Sequence, residues 1–316
     1  MPIIYPPSDS DFGDRVRRLS LFEGDFFVYR PRPASHGLCE LARSSLEQML
    51  GSEPPFAQQR MSEPEFAVLF RGAARNFHLR GAATRLASAL AVDLGCDSHS
   101  TFLSEPSLTA ITGSGFLAHG TGSPQHPHRD TWYAASVSQV TWWLPLYDLG
   151  TSSIAFHPQY WDIPVVNSSR DFDYDEWSRQ CKDLEASLAG PPFFHLLKEP
   201  RPLDTLVLTP DIRIASPTDG IALSSCAHLY SVVPNDSAET YFGTVFHTVN
   251  ENDLLLGAGA MNLDAEPRGT MLATFVRCDD FSPIPQELVD RELQRRSEAV
   301  IPPPRDRPSS TSLITS

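Results

Sequence analysis

From about Ser107 onward the chain passes through short β-rich stretches that follow one another with no helix between most pairs: "LTAIT", "TWYAASVSQVTWWLPLYD", "TSSIAFHP", "TLVLTP", "GIALSSCAHLYSVV" and "TYFGTVFHTV". Parallel neighbours need a crossover of a dozen or more residues, usually a helix. Strands that return without one predict an antiparallel sandwich or barrel, not a doubly wound parallel sheet. One acidic segment, Asp171 to Leu188, interrupts the series and reads as a helical insertion.

The first third has a different period. Ser35 to Leu50 places Leu38, Leu41, Leu46, Met49 and Leu50 at helical spacing and stops at Gly51, a favoured helix-ending residue. A second helical stretch opens at Ser62-Glu63-Pro64-Glu65, with a serine cap and a proline in the first turn. It continues to Leu94 with interruptions at Gly72 and Gly81. A last helix is expected near Pro285 to Ala299, followed by "IPPPRDRPSSTSLITS", whose composition predicts a disordered tail over 301–316. With 316 residues, 41% of them hydrophobic, and no internal repeat, the chain can bury one sizeable core. The expectation is a single domain over 1–300: a helical part to about 100, a β core over about 101–285, and the closing helix.

Charge and cysteine usage narrow the function. The 25 basic against 39 acidic side chains give a net charge of −14, which argues against nucleic acid or an anionic membrane as partner. The five cysteines are scattered and lack C-x-x-C spacing, so neither a disulfide framework nor a thiolate zinc site is expected, and a reducing cytoplasm fits. No basic leader followed by an apolar run is seen, and no stretch of ~18 apolar residues. Neither export nor a membrane span is expected. "GAGAMN" at Gly257 lacks the third glycine of a dinucleotide loop, and Ser123 is not flanked as a nucleophile elbow requires.

The chemistry concentrates in "HPHRDTWY", residues 126–133, which fits a metal site, a base with its orienting acid, or a polar turn. On a strand, residues two apart face the same way, so His128 and Asp130 share a face with His126 and Trp132. An imidazole and a carboxylate could then reach one ion. A third ligand must come from elsewhere, and His228, in an apolar β-like run 98 residues past Asp130, is the best candidate. Two histidines and one carboxylate leave open positions and suit non-haem Fe(II). If "SQVTWWLPL" is a core strand, Gln139, Thr141 and Trp143 face one way and Val140, Trp142 and Leu144 the other. The first set could line a site, and the tryptophans fit a plain core equally well.

Together, "HPHRDTWY", "SQVTWWLPLYD", "AFHPQYW", "NSS", "AHLYSVVPN" and "MNLDAEPRGT" resemble, in order over roughly residues 100–285, the phytanoyl-CoA dioxygenase-like branch of the Fe(II)/2-oxoglutarate oxygenases. The resemblance implies a double-stranded β-helix, a cupin-like jelly roll with flanking helices. It makes His128 and Asp130 the near ligands and His228 the distal one, with His126, Trp132 and Trp143 about the substrate. It also implies Fe(II), 2-oxoglutarate and O2 as reactants, and C–H oxidation of a small molecule in secondary metabolism, ending in hydroxylation, desaturation or ring closure.

The chain departs from that pattern where an arginine should pair with the distal carboxylate of 2-oxoglutarate. Tyr241 and His247 stand there instead. Neither reproduces a bidentate guanidinium pair. The cosubstrate would then rest on Gln139, Thr141, Tyr241 and His247, or on Arg213, Arg277 or Arg129 reaching in from another element. Alternatively, the chain has dispensed with 2-oxoglutarate. A non-redox metal isomerase or hydrolase, and a jelly roll that only binds a small molecule, are the readings from other classes.

Overall fold

The computed structural model describes residues 1–6, 13–113, 126–148, 154–186, 198–233 and 235–298. The expected tail over 301–316 and Ser123 lie outside the described residues. Eight strands build the larger sheet: β1 (Ile3–Ile4), β2 (Phe26–Tyr29), β3 (Thr101–Leu103), β4 (Ser107–Ile111), β5 (Val140–Pro145), β8 (Ile221–Ser225), β10 (Tyr241–Asn250) and β11 (Val276–Arg277). Their order is β1-β2-β8-β5-β10-β3-β11, with β4 also paired to β10. The smaller sheet is β7 (Ile212–Arg213), β6 (Ile154–Phe156) and β9 (Tyr230–Val232) in that order. Every pairing is antiparallel except β1 with β2. The result is a mainly β, jelly-roll architecture with helices packed outside it.

Period-two alternation on β5 and β10 assigns the two faces of the large sheet. Val140, Trp142 and Leu144 turn outward with Phe242 and Phe246, into a core shared with Leu38 and Leu46 of α2 (Pro33–Leu50), Phe66 and Phe70 of α3 (Glu63–His78) and Ala87 and Leu90 of α4 (Ala82–Asp93). Trp142 stacks on Phe246, centroids 5.1 Å apart, and its indole N–H donates to Thr248 Oγ1 at 2.8 Å. Burial of each such aromatic contributes about 1.5–3 kcal/mol. Thr141, Trp143, Val245 and His247 are left on the opposite face, which lines a pocket together with Ile154, Tyr230 and Val232 of the smaller sheet. The helical layer thus holds the sheet that carries half of the site.

Several elements differ from the sequence expectation. Helix α3 runs through Gly72, because a Cβ there would lie 2.4 Å from Met49 Cε: the glycine lets α3 approach α2 closely. The break falls at Gly81, in a left-handed conformation (φ +63°) that glycine adopts at little cost. "TLVLTP" forms no strand, and Ile212–Arg213 pairs with β6 instead. The helical first third also contributes β1 and β2, because the wholly buried "FFVY" fills the open hydrogen-bonding edge of β8. The insertion forms α5 (Tyr174–Ala186) and the last helix is α7 (Gln286–Glu298). Among the described residues no helix is long and apolar enough to cross a membrane.

Candidate active site

A pocket of about 250 Å3 lies between the two sheets. Its walls are mostly apolar and aromatic, with Ile111, Trp143, Ile154 and Val245 facing Tyr133, Trp177 and Met271. Glu199 also lines it, with a carboxyl that burial raises above the usual range. No arginine or lysine is among the described lining residues.

The polar part of the pocket is assembled by one short backbone contact. His128 and Tyr230 exchange backbone hydrogen bonds (2.9 and 3.0 Å), which adds a single residue to the edge of the smaller sheet at β9. The chain then turns at once into a 3-10 segment, Asp130–Tyr133, so the expected strand over 126–133 is reduced to this bridge. The turn swings Asp130 toward β9. Tyr230 Oη consequently lies 2.9 Å from His128 Nε2 and donates to Asp130 Oδ1 at 2.7 Å. Thr141 Oγ1 donates to Asp130 Oδ2 at 2.8 Å, and His247 Nε2 stands 3.6 Å from the same oxygen.

Burial and charge set the proton states of this group. Burial lowers His128 to about 4, outweighing the pull of Asp130. Burial alone would raise Asp130, but His247, His128 and the Tyr230 hydroxyl outweigh it and hold the carboxyl at about 2. Burial, then Asp130, raises the Tyr230 phenol well above its ordinary value.

The hydrogen bonds of this group leave one lone pair without a proton. His128 Nδ1 lies 2.9 Å from the His126 carbonyl, which can only accept, so the proton sits on Nδ1 and a neutral imidazole presents the Nε2 lone pair. That lone pair and the Asp130 carboxylate both address Tyr230 Oη, whose single proton can serve only one of them. Such fixing of a ligating imidazole by a backbone carbonyl is the usual arrangement behind a metal-bound histidine. His128 and Asp130 therefore fit a metal ion. Asp130, Cys226 and His247 also place one ligand atom each within 4.8 Å of one another. Cys226 does not line the pocket, however, and burial, then Asp130, keeps its thiol protonated well above the ordinary range.

His228 is not part of this group. Its ring lies between Phe26 and Trp161, with centroids at 4.3 and 4.5 Å. Nδ1 accepts from the Ser225 N–H at 3.1 Å, and Nε2 lies 3.2 Å from the Gly24 carbonyl, to which it donates. Both nitrogens are thus engaged in the interior, and the structure does not bring His228, the expected distal ligand, into the pocket lining with His128 and Asp130. Burial lowers His228 to about 4. A neutral buried histidine makes the unfolded state the better proton acceptor between that value and the ordinary ~6.5. Its contribution is therefore full above pH 6.5 and declines as pH falls toward 4, by up to about 1.4 kcal/mol per pH unit. Urea unfolding between pH 7 and 4 is expected to be flatter in His228→Gln than in the parent. Equal slopes would reject this role.

The remaining expected site residues divide. Thr141, Trp143 and His247 line the pocket. Gln139 does not: it precedes β5, is fully buried, accepts from the Ser136 N–H at 2.5 Å and reaches Met271 Sδ at 3.2 Å. Trp132 is core, donating to Asp264 Oδ1 at 2.7 Å and packed with Val165, Leu229 and Ala265. Tyr241 sits opposite Ile111 at the start of β10 and is not among the lining residues, nor is His126, whose Nε2 meets the Pro200 carbonyl at 2.7 Å. The expected anchors are placed elsewhere. Arg213 is half-exposed and paired with Asp211, Arg277 pairs with Glu251 and covers Phe102, and Arg129 is buried against Asp264. Each guanidinium is taken up by an acid close to it.

The residue that sequence reasoning passed over is Tyr230. It lies two positions after His228 in the same β-like run, so alternation gives the pair one face. The strand begins only at Tyr230, which left that signal ambiguous.

No family model matches the sequence, and no curated protein matches it. Among solved structures the chain is similar to "non-heme monooxygenase; ThoJ apo" (9% identity, 84% of this chain and 88% of that one, TM-score 0.38). It is also similar to EvdO2 from Micromonospora carbonacea var. aurantiaca (12% identity, 78% and 94%, TM-score 0.42). A third likeness is to the non-haem alpha-ketoglutarate-dependent epimerase SnoN from nogalamycin biosynthesis (16% identity, 62% and 71%, TM-score 0.32). At TM-scores below 0.5 these likenesses assign no residue a role.

Proposed function

We propose that this chain is a non-haem iron oxygenase that uses 2-oxoglutarate and O2 to oxidise a C–H bond of a small, largely apolar molecule of the kind met in natural-product biosynthesis. The observation that carries this reading is the convergence of His128 Nε2 and Asp130 Oδ1 on Tyr230 Oη, with one proton between them, at the edge of an aromatic-walled pocket. His128 and Asp130 would hold the iron, and the iron would supply the oxidising power. The chain's own part is to orient and to exclude water. Thr141 fixes one Asp130 oxygen, the His126 carbonyl fixes the His128 ring, and Trp143, Tyr133 and Trp177 enclose an apolar substrate.

A second reading, the same metal site working without 2-oxoglutarate, is favoured by the charge of the pocket. Asp130 and Glu199 are its ionisable acids, and no guanidinium or ammonium answers a dicarboxylate. The undescribed internal segments contain no arginine or lysine either. Among the described lining residues His247 is left to face the distal carboxylate, so the cosubstrate is expected to bind on the order of a hundredfold more weakly than one held by a bidentate arginine pair. Anaerobic Fe(II) titration with and without 2-oxoglutarate, followed by succinate quantification in air, tests both. One iron per chain, weak 2-oxoglutarate binding and unchanged behaviour of Arg213→Ala and Arg277→Ala are expected. Loss of succinate in either arginine variant would overturn the account of the anchor. Product without 2-oxoglutarate selects the second reading, and absence of iron binding ends both.

A further inference from the structure

The donor set that His128 and Asp130 begin is incomplete without a third atom, and the residue that stands there is an unusual one. Tyr230 Oη is 2.9 Å from His128 Nε2 and 2.7 Å from Asp130 Oδ1. Adjacent ligands of an octahedral ion with bonds of 2.0–2.1 Å are separated by about 3 Å. These two contacts thus have the length of edges of one coordination face. We propose that Tyr230 is the third protein ligand, binding iron through its phenolate oxygen, so that the site is one histidine, one carboxylate and one tyrosinate. This rests on the proposed iron dependence and specifies it.

Three features of the fold support the assignment. Tyr230 is held by the two-way backbone bridge to His128, so the phenol and the imidazole are fixed relative to one another before any ion arrives. The phenol lines the pocket, whereas the Cys226 thiol, also near Asp130, does not. His228, the histidine expected as the distal ligand, has both nitrogens engaged with Ser225 and Gly24, and His247 Nε2 stands farther from the Asp130 carboxylate, at 3.6 Å, than the phenol does. On binding, the phenol proton leaves to solvent or to a neighbouring base and the oxygen lone pair goes to the metal, so no electron transfer is required. A second anionic oxygen donor favours the ferric over the ferrous ion, which distinguishes this site from one built on two neutral imidazoles.

The test is spectroscopic and independent of turnover. The full-length chain is titrated with Fe(III) supplied as a soluble chelate, and the visible spectrum and resonance Raman phenolate vibrations are recorded. One iron per chain with a phenolate-to-iron charge-transfer band is expected. Tyr230→Phe should lose the band and bind iron on the order of a hundredfold more weakly. Tyr230→His should recover binding, with ferrous iron preferred, and show no band. Iron bound at full stoichiometry without a band, or a band that persists in Tyr230→Phe because it arises from Tyr133, would overturn the ligand assignment while leaving iron dependence standing. Failure of the parent to bind iron, or its retention in both His128→Ala and Asp130→Ala, would instead remove the proposed function itself.

Discussion

Asp130→Ala and His128→Ala are each expected to reduce iron to well below one per chain, with affinity falling on the order of a hundredfold or more. Loss even of a group that only orients a ligand costs 10–100-fold. Both side chains converge on Tyr230 Oη from a backbone fixed by the His128–Tyr230 bridge. The fold should survive, because the atoms removed face the pocket and not the aromatic core behind β5. Asp130→Asn sharpens the test. It keeps the size and most of the hydrogen-bonding capacity of the side chain but removes the negative charge, and it is expected to behave like the alanine variant. Metal analysis after desalting, with circular dichroism as the check on folding, measures this. Full iron stoichiometry in folded Asp130→Ala and His128→Ala would sink the metal assignment.

Asp264→Ala is expected to have the largest effect on stability. The carboxylate is almost wholly buried and accepts from Arg129 Nε at 3.2 Å, the Val165 N–H at 2.8 Å and the Trp132 indole at 2.7 Å. Arg129 in turn donates to the carbonyls of Ala227, Tyr160 and Ile163, tying the segment between His128 and Asp130 to two other parts of the chain. Removing the acid strands a buried guanidinium, which typically costs about 3–5 kcal/mol, a large share of a total stability of about 5–15 kcal/mol. Urea unfolding is expected to show a loss of that size. Replacing both partners together with apolar residues of similar volume, as in Arg129→Met with Asp264→Leu, should recover much of it, since no unpaired charge then remains. A loss below about 1 kcal/mol in Asp264→Ala would show that the pair is not what holds this segment. Because Arg129 lies between the two proposed ligands, Asp264→Ala should weaken metal binding as well.

What the sequence by itself determined was local. Return of strands without intervening helices was enough for the antiparallel architecture, and helical spacing was enough for α2. Alternation in "VTWWLP" was enough to send Trp142 to the helical layer and Thr141 and Trp143 to the pocket, because the facing of side chains within one continuous strand follows from backbone geometry alone. The pair His128 and Asp130 was legible as near neighbours, but the strand expected there is reduced to one bridge and the turn after it brings Asp130 round. Tertiary structure alone decided everything that depends on a turn or on a distant partner. The turn at Cys226–Ala227 resets the facing between β8 and β9, so Tyr230 enters the pocket while His228, two residues earlier, is captured by Gly24, Phe26 and Trp161 from remote parts of the chain. Gln139 fell outside the register because the strand starts one residue later. Arg213 and Arg277 fell outside the site because acids near them, Asp211 and Glu251, take up their charge. A periodic pattern carries no information about which long-range contact will claim a side chain once the period is broken. That choice is made by burial and hydrogen bonding between segments that only the fold brings together.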